Sequence, residues 1–274
     1  YILVRFKFNN FFLIAEAGIN HNGNLKKAFK LVDSAKNSGA SAIKFQTYIT
    51  EKRVKKNNPA FNILKKCELN FKEFKTISDY CKKKKIIFFS TPFDLDSIAF
   101  LNELKVPMFK IASFDIENYP LINAIAKTKK PIIYSTGMAK LNAIKKLNKI
   151  LQRKKIEQCI LHCISSYPNK EEASYLNNIS FLKKNFNCCI GISDHSQKIK
   201  VPIYGFLMGA RVIEKHFKLL NDHKCVDAAV SLDEKQFSKM ISEIEWARKI
   251  QGNVKFGIKN EEKSAKIFLR KKIY

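Results

Sequence analysis

Two histidines close apolar, strand-like runs late in the chain, Ile190-Gly191-Ile192-Ser193-Asp194-His195 and Val212-Ile213-Glu214-Lys215-His216-Phe217. Neighbouring parallel strands lie about 5 Å apart, so imidazoles at equivalent ends of adjacent strands can reach one metal ion. Two nitrogen ligands, with positions left open for water and substrate, make a Lewis-acid site able to polarise a carbonyl. Mixed nitrogen and oxygen ligation suits Mn²⁺ or Mg²⁺ better than a closed structural zinc site.

Two lysines carry the second signal. Lys44 and Lys110 sit inside the apolar runs Ala42-Ile43-Lys44-Phe45 and Met108-Phe109-Lys110-Ile111. A buried ammonium is costly without an anionic partner. That partner is either a protein carboxylate or a bound ligand. With Thr91, Ser113, Ser135 and Ser193 nearby, the two cations form a cradle for a phosphate or carboxylate group. Glu16 is the carboxylate of the first apolar run, suited to shuttle a proton or simply to pair with a lysine. His162 lies between Leu161 and Cys163 and reads as structural, and His223 lies in a polar loop with no signal of its own.

These side chains need elements to hold them. Short β-rich runs occur at 11–18, 42–48, 86–93, 108–114, 131–138, 159–168, 188–195 and 211–217. Between them run amphipathic stretches, including 25–38, 71–84, 141–151 and 234–250, with apolar residues at helical spacing. Eight such repeats predict an α/β fold, a (β/α)₈ TIM barrel, with an open doubly wound sheet as the runner-up. Barrel enzymes place their chemistry at the carboxyl ends of the strands. Polar residues gather at those ends here: Glu16, Lys44 with Gln46, Ser90 with Thr91, Lys110 with Ser113 and Asp115, Ser135 with Thr136, Ser165 with Tyr167, Ser193 with His195, and Glu214 with His216. Neither a P-loop stretch nor a Gly-x-Gly-x-x-Gly stretch is present, which argues against a nucleotide fold of either kind.

Composition bounds the rest. The chain has 274 residues, suited to one barrel domain, and 46% are hydrophobic with 9 Gly and 7 Pro, as in ordinary globular proteins. Its net charge of +27 raises nucleic acid or an anionic membrane as a partner. The lysines are nevertheless dispersed over successive helices, as solvated faces would be, so no specific nucleic acid is expected; the field would instead steer an acidic substrate. Seven cysteines without a Cys-x-x-Cys motif point to a reducing cytoplasm. Arg5, Lys7, Asn9 and Asn10 interrupt the apolar start, which is neither a signal peptide nor a membrane span.

Together these residues resemble the sialic acid synthase family, whose products include N-acetylneuraminate, legionaminate and pseudaminate. The likeness rests on Ala15-Glu16-Ala17-Gly18-Ile19-Asn20-His21-Asn22-Gly23, Lys44-Phe45-Gln46-Thr47, Ser90-Thr91-Pro92-Phe93, Lys110-Ile111-Ala112-Ser113, Ser135-Thr136-Gly137-Met138, Ser193-Asp194-His195 and Glu214-Lys215-His216-Phe217. The resemblance implies condensation of phosphoenolpyruvate with an open-chain N-acylated aldose, such as N-acetylmannosamine, and release of phosphate. It makes His195 and His216 ligands of a divalent metal, Mn²⁺ first and Mg²⁺ second. Lys44, Thr91, Lys110, Ser113, Ser135 and Ser193 match positions that hold phosphoenolpyruvate. Gln46, Asp115, Tyr167 and Asp227 match positions facing the sugar or the intermediate, with Ser165 beside them as a substrate-binding residue. Glu16, Asp115 and Glu214 are the implied catalytic residues.

The chain also departs from the family. Asp115 stands where many members have Glu, Ser165 where some have Asn, and His223-Lys224-Cys225-Val226-Asp227 replaces a typical Gly-Gly-Pro-Asp. The resemblance divides the chain into an N-terminal extension over 1–10, the barrel over 11–252 and a linker over 253–274 toward a C-terminal antifreeze-like domain. That domain, where supplied, implies a homodimer. Two alternatives stand beside this reading: a related synthase using a phosphorylated aldose, and a catalytically impaired barrel acting as a basic binding module.

Overall fold

The computed structural model describes residues 11–269. Eight strands occur in it: β1 (Phe12–Gly18), β2 (Ala42–Thr47), β3 (Ile87–Pro92), β4 (Phe109–Ile111), β5 (Ile132–Ser135), β6 (Gln158–Cys163), β7 (Cys189–Asp194) and β8 (Val212–His216). All pair in parallel in chain order, and β1 pairs with β8 to close the barrel. The expected (β/α)₈ architecture is therefore the observed one.

The intervening helices form where the sequence caps them and supplies one apolar face. Leu25–Asn37 starts on Asn24, whose side chain accepts from the Lys27 amide, and it buries Ala28, Leu31, Val32 and Ala35. Phe71–Lys84 carries a capping box between Asn70 and Glu73 and buries Phe74, Ile77 and Cys81. Satisfying the first amides of a helix in this way stabilises it by about 1 kcal/mol per cap. The helix 95–103, capped by Asp94, and the helix 200–207 lie outside the amphipathic stretches singled out above. Both have short, broadly apolar sequences, so their period is weak.

The strands are shorter than the apolar runs suggest. The run 108–114 yields only Phe109–Ile111 before a 3₁₀ turn over Ser113–Asp115. The run 159–168 leaves the sheet after Cys163. In both places the chain turns at the rim of the barrel and carries polar residues into a loop.

The N-terminal extension assigned to 1–10 lies outside the described residues, as do 270–274. After the helix Glu234–Gln251, the chain runs exposed to a short helix, Lys263–Leu269. Among the described residues no helix is long and apolar enough to cross a membrane.

Candidate active site

Strand alternation decides which side chains enter the barrel mouth. Successive residues of a strand face opposite ways. Lys44 and Gln46 of β2, Thr91 and Phe93 at the end of β3, Ser193 and His195 at the end of β7, and Glu214 and His216 of β8 all line one cavity of about 340 Å³. Glu16, Lys110, Ser113, Ser135, Ser165, Tyr167 and Asp227 complete its polar wall. Every residue singled out for the site lies on this wall except Asp115.

Asp115 is held by the 3₁₀ turn after β4, where its Oδ1 accepts a hydrogen bond from Asn118 Nδ2 at 2.9 Å. Burial raises its pKa. The resemblance places Asp115 toward the sugar or the intermediate; it is not among the residues lining this cavity, and its Oδ2 is buried without a hydrogen-bond partner.

The two cations are paired. Lys44 Nζ lies 2.7 Å from Glu16 Oε2 and 3.6 Å from Glu214 Oε2, and Lys110 Nζ lies 3.7 Å from Glu214 Oε1. All four side chains are buried. Lys44 also donates to Thr91 Oγ1 at 3.1 Å and Lys110 to Ser135 Oγ at 2.7 Å. Ser193 donates to Glu214 Oε1 at 2.9 Å. Of the two readings open for a buried lysine, the carboxylate partner is thus present, and it shares the cavity with the hydroxyls of the cradle.

The two carboxyls differ in character. Burial raises the Glu16 pKa more than Lys44 lowers it. Burial pushes Glu214 the same way, but Lys110 and Lys44 outweigh it and hold that carboxyl well below the usual carboxylate range. Acid and base roles separate in this way when neighbouring groups have their pKa values pushed apart.

The imidazoles of His195 and His216 have ring centroids 5.2 Å apart. His195 Nδ1 donates to the Ile164 carbonyl at 2.8 Å, which leaves Nε2 as the acceptor nitrogen. A metal-ligating histidine is commonly oriented by such an outer hydrogen bond. His216 Nδ1 lies 3.2 Å from Asp227 Oδ2 without hydrogen-bond geometry. Burial lowers the His216 pKa, but Asp227 outweighs it and raises the value overall. Among the described residues no group of three or more His, Cys, Asp or Glu side chains is arranged to hold an ion. The two imidazoles on one cavity wall are donors of the type a divalent ion accepts.

The opposite faces of β7 and β8 keep these ends aligned. Asp194 and Lys215 are register partners, and their side chains form an ion pair at 2.6 Å with essentially no exposure. Asp194 also accepts from the Ser196 amide and hydroxyl, and Lys215 donates to the Ser196 carbonyl. Asn20 fixes the loop that carries Asp227: its Nδ2 donates to Phe217 O and Ser231 Oγ, and its Oδ1 accepts from the Asp227 amide.

His162 is structural, as expected: its Nε2 bonds the Ser174 carbonyl at 2.7 Å away from the cavity. Two ionisable cavity residues escaped sequence reasoning. Cys163 ends an apolar strand, and its Sγ reaches Ser113 Oγ at 3.6 Å and His195 Nδ1 at 3.8 Å. Arg53 stands in a basic stretch with Lys52, Lys55 and Lys56, and it lines the cavity. Period-two alternation beyond His162 would have found Cys163. Nothing in the local pattern separates Arg53 from Lys52, Lys55 and Lys56.

A parallel (β/α)₈ barrel with ionisable and hydroxyl side chains converging at its carboxyl mouth defines a class of enzyme architecture. A model of the NeuB family matches residues 31–256. The chain belongs to that family. It is 43% identical to an uncharacterized protein of Methanocaldococcus jannaschii, over 88% of this chain and 72% of that one. It is 36% identical to the N,N'-diacetyllegionaminic acid synthase of Campylobacter jejuni, over 93% of this chain and 82% of the relative. The crystal structure of an N-acetylneuraminic acid synthetase from Leptospira borgpetersenii, in complex with citrate, superposes with a TM-score of 0.91 at 38% identity, covering 96% of this chain and 94% of the other.

Proposed function

We propose that this barrel condenses phosphoenolpyruvate with an open-chain N-acylated aldose to form a nonulosonate, releasing inorganic phosphate. The reading is carried by one observation: the Lys44 and Lys110 ammoniums, their hydroxyl partners and the histidine pair share a single cavity. The synthase names of the relatives support the same reaction class.

In this reading Lys44, Lys110, Thr91, Ser113, Ser135 and Ser193 bind the carboxylate and phosphate of phosphoenolpyruvate. Charge-assisted hydrogen bonds from buried cations give such an anion both affinity and a fixed orientation. C3 of the bound enol attacks the aldehyde carbon, water adds at C2, and the C2–O bond to phosphate breaks. His195 and His216 would hold a divalent ion, Mn²⁺ or Mg²⁺, which supplies Lewis acidity at the aldehyde oxygen. Glu16, whose carboxyl burial favours in the protonated form, is the group suited to hold a proton beside the reacting atoms. Glu214 keeps both lysines in place. Gln46, Tyr167, Ser165 and Asp227 face the space left for the sugar.

The test is phosphate release from phosphoenolpyruvate in the presence of N-acetylmannosamine and related N-acylated aldoses, with Mn²⁺ and with a chelator. Release that needs both substrates and the metal is the expected result. No release with any acylated acceptor would sink the proposal. Faster release with a sugar phosphate would transfer it to the phosphorylated-aldose reading.

A further inference from the structure

Arg53 is a cavity-lining cation without a carboxylate in ion-pair distance among the described residues. It ends a four-residue helical turn, Thr50–Arg53, in the loop after β2. Its guanidinium lies 3.7 Å over the Phe93 ring centroid and 4.7 Å from that of Tyr48. Phe93 is itself stacked on Phe114, with ring centroids 5.6 Å apart and planes inclined by 12°. The aromatic contacts hold the guanidinium through its face and use none of its N–H donors. Arginine carries five N–H donors in a rigid fork. One is used among the described residues, Nη1 donating to Gln46 Oε1 at 3.2 Å. Gln46 Nε2 in turn donates to Glu16 Oε1 at 3.4 Å, linking Arg53 to the floor of the site.

We infer that Arg53 is a specificity-determining residue for the acceptor, donating from its free edge to the carbonyl oxygen of the N-acyl group. The inference rests on the synthase reading and names what that reading leaves open at the sugar end. Three observations favour a neutral acyl oxygen over a phosphate. Among the described residues, Arg53 is the only lysine or arginine lining the cavity besides Lys44 and Lys110, both of which are held by glutamates. The Asp227 carboxylate lines the same cavity and opposes a second anion. The cavity also carries apolar lining, Ile19, Phe93, Phe114 and Met138, able to cover an acyl methyl.

The experiment compares wild type with Arg53→Met and Arg53→Lys by phosphate release, using N-acetylmannosamine and mannose as acceptors and N-acetylmannosamine 6-phosphate as the anionic probe. The wild type should favour the acetylated sugar over mannose in kcat/KM. In Arg53→Met that preference should fall about tenfold or more, the value of one charge-assisted hydrogen bond. The KM for phosphoenolpyruvate should stay within about twofold. Arg53→Lys keeps the charge but loses the fork, so it should retain the fold and still lose most of the preference. Equal loss on both neutral sugars would make Arg53 a packing residue and overturn the inference. Wild-type preference for the 6-phosphate would overturn it in favour of an anion site. If the variants release phosphate with unchanged acceptor preference, only this inference fails. If the wild type releases none with any acylated aldose, the synthase reading fails with it.

Discussion

Lys215→Met tests the idea that an ion pair outside the cavity sets the geometry inside it. Lys215 has no exposed side-chain surface and Asp194 has 2%. Removing one partner of a buried pair leaves an uncompensated charge and costs about 3–5 kcal/mol. At about 2.1 cal/mol/K per residue, unfolding 274 residues carries an entropy of about 0.58 kcal/mol/K. The loss then lowers Tm by about 5–9 °C. Replacing both partners, as Asp194→Leu with Lys215→Met, removes the stranded charge and should recover at least half of that loss, since buried pairs are often replaceable by apolar residues. Urea unfolding and calorimetry read stability without any need for turnover. A single variant that loses less than about 1 kcal/mol, or a double variant as unstable as the two single losses added together, would refute the reasoning.

Three further outcomes are expected. His195→Ala and His216→Ala should each abolish metal-dependent phosphate release with an unchanged far-ultraviolet circular dichroism spectrum; near-normal rates in metal-limited buffer would remove the pair from the site. Lys44→Ala should raise the KM for phosphoenolpyruvate about tenfold or more, because it removes a charge-assisted contact; an unchanged dependence on that substrate would take Lys44 out of the cradle. His21 is buried, its Nδ1 accepts the Gly23 amide, and burial followed by Lys27 lowers its pKa from 6.5 to about 3. The unfolded chain therefore takes up this proton first, so its contribution to stability is full above about pH 6.5 and is lost as pH falls toward 3, by about 1.4 kcal/mol per pH unit. Between pH 7.5 and 5.5 wild type should lose about 1.4 kcal/mol more than His21→Gln in urea unfolding, and parallel pH profiles would contradict it.

The barrel was legible because parallel strands covered on both faces read as apolar runs, and eight of them alternate with helical periods. Strand ends were less legible. Hydrophobicity continues through Ala112 and Phe114 although the sheet stops at Ile111, so the pattern does not show that Ser113 and Asp115 lie in a 3₁₀ turn. Charge was legible only where it broke an apolar pattern. Lys44 and Lys110 stand out against their neighbours, whereas Arg53 lies among Lys52, Lys55 and Lys56 and is singled out only by Phe93 and Tyr48, which the fold brings to it. The Asp194–Lys215 pair was hidden differently: both residues lie inside quoted motifs, but only the register of β7 against β8 shows that they meet.

That register places residues of two ion-pair groups on opposite faces of β8, Glu214 inward and Lys215 outward. Toward the helices, Lys215 and Asp194 close on each other and on Ser196, with no donor or acceptor offered to solvent. Toward the cavity, Lys44 and Lys110 share Glu214, and Lys44 also meets Glu16, a carboxyl whose pKa burial raises. Two ammoniums then face one firmly ionised carboxylate and one that is more easily protonated. The inner group can persist without ligand because each lysine has a partner, and the raised Glu16 pKa shifts its charge balance toward an arriving anion. Two fully ionised glutamates would cancel that bias and repel a phosphate; two unpaired lysines would make the apolar barrel floor costly to fold. Alternation along β8 thus gives Glu214 and Lys215, adjacent in sequence, opposite tasks: one holds the cations of an open site, the other closes the wall that carries His216.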